Sequence, residues 1–203
     1  MIRYTYIDRE ILKIYYQCPA LSFPIDARKI IRLMPNCRYM SYQDFETASE
    51  YTLNEIIRSC GSEFGCSLFD VANDRYLVLC NESTGNNNNV GRQRWTFAHE
   101  LGHIVCKHHA ISACNKSSEF TGDIPDSDFE SEADYFAATL LAPFPLYKIV
   151  GIHSAADVQK VFGLSREASE IRWERYGKWC RTRYKSAWEN DMIRLYRERI
   201  QVS

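Results

Sequence analysis

The pattern of hydrophobic and polar positions predicts two long helices in the second half of the chain. From about Gln93 to Lys107 and from about Asp128 to Ala142, apolar residues recur every three or four positions, the period of a helix with one buried face. The second helix stops at Pro143, because proline cannot continue a helix. Its apolar stripe consists of Phe129, Ala133, Phe136, Ala137, Leu140 and Leu141.

Short β-rich segments lie earlier in the chain. Residues 66–70 and 75–80 predict two strands of a hairpin, and residues 37–42 predict a further short strand. Three helices are predicted before the hairpin, over residues 8–16, 27–34 and 44–59. Asp8 and Asp26 are placed to cap the first two of them. Helices that flank a small antiparallel sheet indicate an α+β fold.

Composition narrows the class of protein. The chain has 203 residues, 45% of them hydrophobic and 25% charged, with a formal net charge of −1. A chain of this length can form one sizeable hydrophobic core, or one core with a small additional segment. The net charge gives no overall electrostatic attraction for nucleic acid or membrane. We find neither the apolar run of a signal peptide nor the ~18 apolar residues of a membrane span. The eight cysteines form no Cys-x-x-Cys pair, which favours reduced thiols in a cytoplasmic protein.

The first long helix carries the sequence His99-Glu100-Leu101-Gly102-His103. Residues four apart share one face of a helix, so the two imidazoles can hold one zinc ion together. Glu100 then lies beside the open position of the metal, where it can take a proton from a water. The motif therefore predicts metal-assisted hydrolysis of a peptide bond.

A catalytic zinc site needs a third protein ligand. Glu130 and Glu132 on the second long helix are two candidates, and they lie 200° apart around the helix axis, so both cannot face one ion. Ser127 and Glu130 fit a capping box, which gives Glu130 a structural task at the helix start. Glu132 has no such task.

Three other residues near the motif deserve comparison. His109 stands at the third-histidine position of the HExxHxxGxxH pattern, but Cys106 occupies the place of its glycine. Cys106 lies on the histidine face of the helix, and we interpret it as buried filler. His108, like His153 further along, has no partner pattern and is interpreted as a surface or core histidine.

Two blocks of sequence resemble a known family. They are Arg92-Gln93-Arg94-Trp95-Thr96-Phe97-Ala98-His99-Glu100-Leu101-Gly102-His103 and Glu132-Ala133-Asp134-Tyr135-Phe136-Ala137-Ala138-Thr139-Leu140-Leu141-Ala142-Pro143. Together they resemble the "AHELGH" and "EAxxFAxxLLxP" helices of the ImmA/IrrE family of metallo-endopeptidases. The resemblance implies a zincin-like fold and gluzincin-like hydrolysis. It implies His99, His103 and Glu132 as zinc ligands and Glu100 as the catalytic residue.

The resemblance also suggests an organisation and a substrate. Residues 1–150 would form the metallopeptidase domain, and residues 151–203 a helical extension or subdomain. Members of the family often cleave a helix-turn-helix repressor, so a repressor is the expected partner and substrate. Ala142 departs from the methionine that the family often has there, and residues 181–203 have no counterpart. Tyr135 and Tyr147 are candidate oxyanion donors.

The C-terminal part suggests an alternative function. Further helices are predicted after Ser165 and over residues 186–200, and residues 166–199 hold ten basic and six acidic side chains. The interleaved aromatic residues are Trp173, Tyr176, Trp179, Tyr184 and Trp188. These could stack on nucleic-acid bases or pack on a partner, which would suit a non-catalytic zinc-binding sensor. The pattern favours a solvated helix face with aromatic residues in the core.

Overall fold

The computed structural model describes residues 1–18, 22–82, 90–111, 126–181 and 186–200. It confirms the predicted α+β architecture. Its helices are α1 (Tyr4–Gln17), α2 (Ala27–Leu33), α3 (Tyr42–Ala48), α4 (Leu53–Cys60), α5 (Val90–Val105), α6 (Asp126–Leu141), α7 (Ala155–Phe162), α8 (Arg166–Cys180) and α9 (Ala187–Ile200). Its strands are β1 (Cys37–Ser41), β2 (Gly65–Asp70) and β3 (Arg75–Cys80). A short 3-10 turn covers Phe144–Leu146.

The three strands form one sheet in the order β1-β3-β2. The predicted hairpin is confirmed, since β2 pairs antiparallel with β3 from Gly65 opposite Cys80 to Asp70 opposite Arg75. The third strand differs from the expectation of an antiparallel sheet, because β1 runs parallel to β3. The sheet is therefore mixed, and β3 lies at its centre.

Local capping explains where several helices begin. Asp26 caps α2 as predicted, and its side chain accepts a hydrogen bond from the Arg28 amide. Asp8 is not a cap, because α1 begins at Tyr4 and Asp8 is buried within it. Ser165 caps α8, as predicted.

The helix predicted over residues 44–59 is in fact two helices. Ser41 caps α3, and Thr52 begins α4 with a complete capping box closed by Glu55. An N-cap residue adopts extended backbone, so a continuous helix cannot pass through Thr52. The pair of caps therefore divides the segment.

The chain divides into two compact units. One contains Met1–Arg3 and Asp26–Ala137, and the other contains Tyr4–Ile25 and Ala138–Ser203. The first unit holds the sheet, α2 to α5 and most of α6. The second holds α1 and α7 to α9.

The second unit has its own buried core. The Tyr15 hydroxyl donates to the Leu140 carbonyl at 2.8 Å. The buried Arg172 guanidinium donates twice to the Ala142 carbonyl and lies 3.6 Å from the centre of the Phe144 ring. These contacts connect α8 to the end of α6 within this unit.

Two expectations concern the chain as a whole. In the ranges given above, no helix is both long enough and apolar enough to cross a membrane. No disulfide joins any two of the seven cysteines in those ranges. Cys114 lies outside the described residues.

Candidate active site

Helices α5 and α6 approach each other closely at Gly102. A Cβ atom placed on Gly102 would lie 3.0 Å from the Ala133 Cα and 3.1 Å from the Phe136 ring. These distances are shorter than ordinary Cβ contacts, so any larger residue would require the neighbouring helix to move. The histidine motif on α5 faces the acidic residues of α6 for this reason.

Three side chains converge on one point at this helix pair. The Nε2 atoms of His99 and His103 are 3.1 Å apart. The Glu130 carboxylate lies 3.2 Å from His99 Nε2 and 3.4 Å from His103 Nε2. Ligands about 2.0–2.1 Å from a tetrahedral ion are roughly 3.3–3.4 Å apart, so this set has the dimensions of a zinc site.

The chemistry of the three groups also fits a metal. When both imidazoles carry their proton on Nδ1, the two Nε2 atoms and the carboxylate are all acceptors, and a cation between them would relieve their repulsion. The Glu130 side chain is 62% exposed, whereas the two histidines are largely buried, so the converging atoms open toward solvent on the glutamate side. A metal held by these three residues would be accessible from solvent, as catalytic sites require.

Asp134 orients His99 from one helical turn beyond Glu130. Its Oδ1 lies 3.0 Å from His99 Nδ1, so in the neutral ring Nδ1 holds the proton and Nε2 keeps its lone pair. Burial lowers the pKa of His99, but Asp134, with Glu100 and Glu130 nearby, raises it overall. The pocket therefore attracts positive charge at His99.

His103 is held in its neutral form. Burial and the neighbouring His99, His108 and His109 lower the pKa of its imidazole to about 3. Its Nδ1 lies 3.0 Å from His108 Nδ1. A neutral imidazole is the form that binds a metal.

Glu132, the third ligand predicted from the resemblance, lies elsewhere. The Arg3 amide donates to its Oε1 at 2.8 Å, and His108 Nε2 lies 2.9 Å from its Oε2. Burial raises the pKa of Glu132, but the hydrogen bonds from Arg3 and His108 outweigh it and lower the pKa to about 2. The arrangement therefore brings Glu130, not Glu132, to the two motif histidines.

The capping-box prediction for Glu130 is wrong. Helix α6 begins at Asp126, so Ser127 lies in its first turn, and its carbonyl accepts from the Ser131 hydroxyl. The 200° between Glu130 and Glu132 separates them as expected. Glu130 faces the histidines, and Glu132 faces Arg3 and His108.

Glu100 is buried beside the two motif histidines and contacts the sheet. The Ser67 hydroxyl on β2 donates to Glu100 Oε2 at 2.8 Å and lies 2.9 Å from His109 Nε2. Burial raises the pKa of Glu100, although His99 and Ser67 partly offset it. A carboxyl group with a raised pKa is suited to accept and return a proton.

The other candidate residues occupy separate places. His109 does not join the three converging ligands and instead contacts Ser67. Cys106 is fully buried, as predicted. Neither Tyr135 nor Tyr147 is among the described residues that line the cleft at the site.

The cleft has a volume of about 560 Å³. One wall is β2, through Gly65, Cys66 and Ser67, and the other is α5 with Glu130 and Asp134. Strand β2 is at the edge of the sheet, since among the described strands it pairs only with β3. Its free side therefore offers backbone groups to an extended chain.

Sequence reasoning missed Ser67, the links from Arg3 and His108 to Glu132, and the position of Asp134. Ser67 lies 33 residues from Glu100, and Arg3 lies 129 residues from Glu132. No local period reports such distant contacts. Only Asp134 had a local signal, because it stands four residues after Glu130 on the same face.

An HExxH helix whose histidines face a glutamate of a second helix is an arrangement found in zinc metallopeptidases. Residues 83–174 match the model of a peptidase family that is described as the IrrE N-terminal-like domain. The match covers both helices of the site. It confirms that this segment resembles the ImmA/IrrE family of metallopeptidases. No curated protein matches the chain.

Proposed function

We propose that this protein is a zinc-dependent endopeptidase. The observation that carries the proposal is the convergence of His99 Nε2, His103 Nε2 and the Glu130 carboxylate, with buried Glu100 beside them. Two imidazoles and one carboxylate form the ligand set of many catalytic zinc sites. Glu132, the ligand expected from the resemblance, is replaced by Glu130 in this proposal.

The residues of the site divide the work of hydrolysis. His99, His103 and Glu130 would hold the zinc ion, which would supply Lewis acidity for a carbonyl and a water. Glu100 accepts the proton of the attacking water and later returns it to the leaving amine. Ser67 keeps the Glu100 carboxylate oriented, because its hydroxyl donates to it.

His109 completes this arrangement. The Ser67 hydrogen points to Glu100, so Ser67 Oγ accepts from His109 Nε2. The ring then holds the hydroxyl in one rotamer.

The edge strand supports an extended peptide as substrate. A peptide that adds to the free side of β2 would pass along the cleft beside Ser67 and Glu100. A cleft of about 560 Å³ admits a short extended segment and excludes a folded domain. We infer that cleavage occurs in a loop or linker of a protein substrate, and we propose a helix-turn-helix repressor on the basis of the resemblance.

The test is cleavage of a repressor encoded beside the gene of this protein. The zinc-loaded protein and its Glu100→Gln variant are each mixed with the repressor, and the products are identified by mass spectrometry. We expect the wild type to cut at one site and the variant to retain zinc but leave the repressor intact. An intact repressor with the wild type under all conditions would contradict the proposal.

The alternative is a zinc-binding sensor that uses its C-terminal helices to bind DNA or a partner. The contacts of the second unit argue for packing instead. Tyr176 is buried and stacks on Trp179, Trp173 lies against Tyr176, and Arg172 is buried at Ala142. Tyr184 lies outside the described residues. A salt-dependent shift of DNA by the full chain would support the alternative.

A further inference from the structure

A second group of metal-binding residue types lies behind the first. Cys106, His108 and Glu132 are all buried, with ligand atoms within 4.8 Å of one another. The Arg3 guanidinium already supplies a positive charge here. It donates to Glu132 through Nε and Nη2, and to the Cys106 carbonyl at 2.9 Å. A second cation would be repelled, so this group has another role.

The group forms a continuous chain of hydrogen bonds that ends at a metal ligand. Arg3 contacts Glu132, Glu132 contacts His108 Nε2 at 2.9 Å, and His108 Nδ1 contacts His103 Nδ1 at 3.0 Å. Glu132 and His108 are each 2% exposed. Water therefore does not compete for these contacts, and each ring nitrogen must be matched by a donor or acceptor.

The position of each proton follows from the first contact. The Glu132 carboxylate is ionised against Arg3 and acts only as an acceptor, so His108 Nε2 carries a proton. A neutral His108 then has a bare Nδ1. That atom accepts from His103 Nδ1, which must carry the proton of its own ring.

With its proton on Nδ1, the neutral His103 ring has an unprotonated Nε2. This atom lies 3.1 Å from His99 Nε2 and 3.4 Å from Glu130, where the three metal ligands converge. A free neutral histidine side chain in water favours the other tautomer, with its proton on Nε2. The chain of contacts from Arg3 therefore selects the tautomer of His103 that a metal requires.

We propose that Arg3, Glu132 and His108 form a positioning relay that fixes the tautomer and ring orientation of His103. The inference rests on the proposed function, because it assigns the metal site to His99, His103 and Glu130. It gives Glu132 a role other than coordination. Partners behind a metal ligand typically change metal affinity about 10–100-fold, and the relay is such a set.

The experiment compares two substitutions of one residue. His108→Leu keeps volume but removes both ring nitrogens. His108→Gln keeps an adjacent acceptor and donor, which can bond to His103 and Glu132. His153→Leu, at an exposed histidine outside the site, is the matched control. Arg3→Met, at a partly exposed position, is a second variant in case His108→Leu does not fold.

Two readouts are taken from each protein. The first is the ¹⁵N spectrum of the histidine rings in the metal-free protein, which separates protonated from bare ring nitrogens. The second is the zinc dissociation constant from competition with a chelator. Neither depends on a substrate.

We expect the His103 proton on Nδ1 in the wild type and the His153→Leu control. In His108→Leu it should move toward Nε2, with zinc affinity about 10–100-fold weaker. Arg3→Met should change both readouts in the same direction, and His108→Gln should restore most of the affinity.

Two results would overturn the relay. One is a wild-type His103 with its proton on Nε2. The other is zinc affinity equal to the control in both His108→Leu and Arg3→Met, which would leave the proposed function intact. A wild type that binds no zinc would instead overturn the proposed function, while the tautomer spectrum still tests the hydrogen bonds of the relay.

Discussion

Glu130 and Glu132 stand two residues apart on α6 and contact different histidines. Glu130 faces His99 and His103 at 3.2 and 3.4 Å, whereas Glu132 faces His108 at 2.9 Å. One acid is exposed at the cleft and the other is buried. His103 thus lies between the two acids, with Glu130 at its Nε2 and Glu132 reaching its Nδ1 through His108.

Removal of Glu130 should abolish tight metal binding. Glu130→Ala deletes one of three ligands, so zinc affinity should fall by more than the ~10–100-fold expected for partners outside the ligand set. Glu174→Ala, at an exposed acid of α8, is the control. Metal content after dialysis and chelator competition measure the effect. Unchanged zinc content in Glu130→Ala would show that another carboxylate completes the site.

Removal of the Ser67 hydroxyl should slow the reaction and spare the metal. Ser67→Ala deletes the donor to the Glu100 carboxylate, and a hydrogen bond to a charged group contributes about 1.5–3 kcal/mol. We expect kcat to fall roughly 10-fold or more, since each ~1.4 kcal/mol is a factor of ten. Zinc affinity should stay constant. Ser131→Ala, on the exposed face of α6, should change neither quantity, and an equal kcat in Ser67→Ala would remove Ser67 from the mechanism.

An added methyl group at Gly102 should force α5 and α6 apart. In Gly102→Ala the new Cβ meets the Ala133 Cα at 3.0 Å, and backbone cannot move aside cheaply. We expect a loss of about 1–3 kcal/mol in stability together with weaker zinc binding. Gly177→Ala is the matched control, since nothing lies within 4 Å of its Cβ and a helical alanine should stabilise by ~0.5–1 kcal/mol. Denaturant unfolding of both variants measures the contrast, and equal stabilities would contradict the close approach.

The buried Arg172 should stabilise the second unit. Arg172→Met keeps the aliphatic stem but leaves the Ala142 carbonyl, just beyond the end of α6, without the two donors it has now. An unpaired buried carbonyl costs about 1–3 kcal/mol, which should appear as a lower Tm. Arg175→Met, at an exposed position of α8, should leave Tm unchanged. If the two variants melted alike, the buried hydrogen bonds would carry no net stability.

Thiol labelling should separate buried from exposed cysteines. Burial raises the pKa of Cys37 to about 11, so its thiol stays protonated at pH 8 and is a poor nucleophile. Cys180 is exposed. Iodoacetamide should modify Cys180 in the native protein at pH 8 and reach Cys37 only after unfolding. Mass spectrometry of peptides reports both, and rapid native labelling of Cys37 would contradict its burial.

Much of the fold follows from local signals in the sequence. The hairpin, the two long helices and the caps at Asp26 and Ser165 all depend on residues within one turn or one strand. The parallel pairing of β1 with β3 does not, because it joins segments that are far apart in the chain. The division of residues 42–60 at Thr52 had a local signal in the capping box with Glu55, which helical period alone overlooks.

The site was predictable in part. The motif specifies His99, Glu100 and His103, and the helical period shows that only one of the two glutamates can join them. The choice between the glutamates depends on the rotation of α6 against α5. That rotation is set by packing at Ala133, which periodicity does not report. Arg3 and Ser67 reach the site from distant segments of the chain, so the local hydrophobic pattern did not indicate them.

Gly102, at the contact between α5 and α6, determines how closely the two helices approach. His99 and His103 lie on one helix and Glu130 on another, and the missing side chain at Gly102 lets the two helices approach until the three ligands are little more than 3 Å apart. A sequence that keeps both histidines and the glutamate but has a larger residue at position 102 would retain all three side chains. It would increase the distance between the helices that carry them. The glycine of HELGH, which carries no chemical group of its own, therefore helps to set the distances between the three side chains of the proposed metal site.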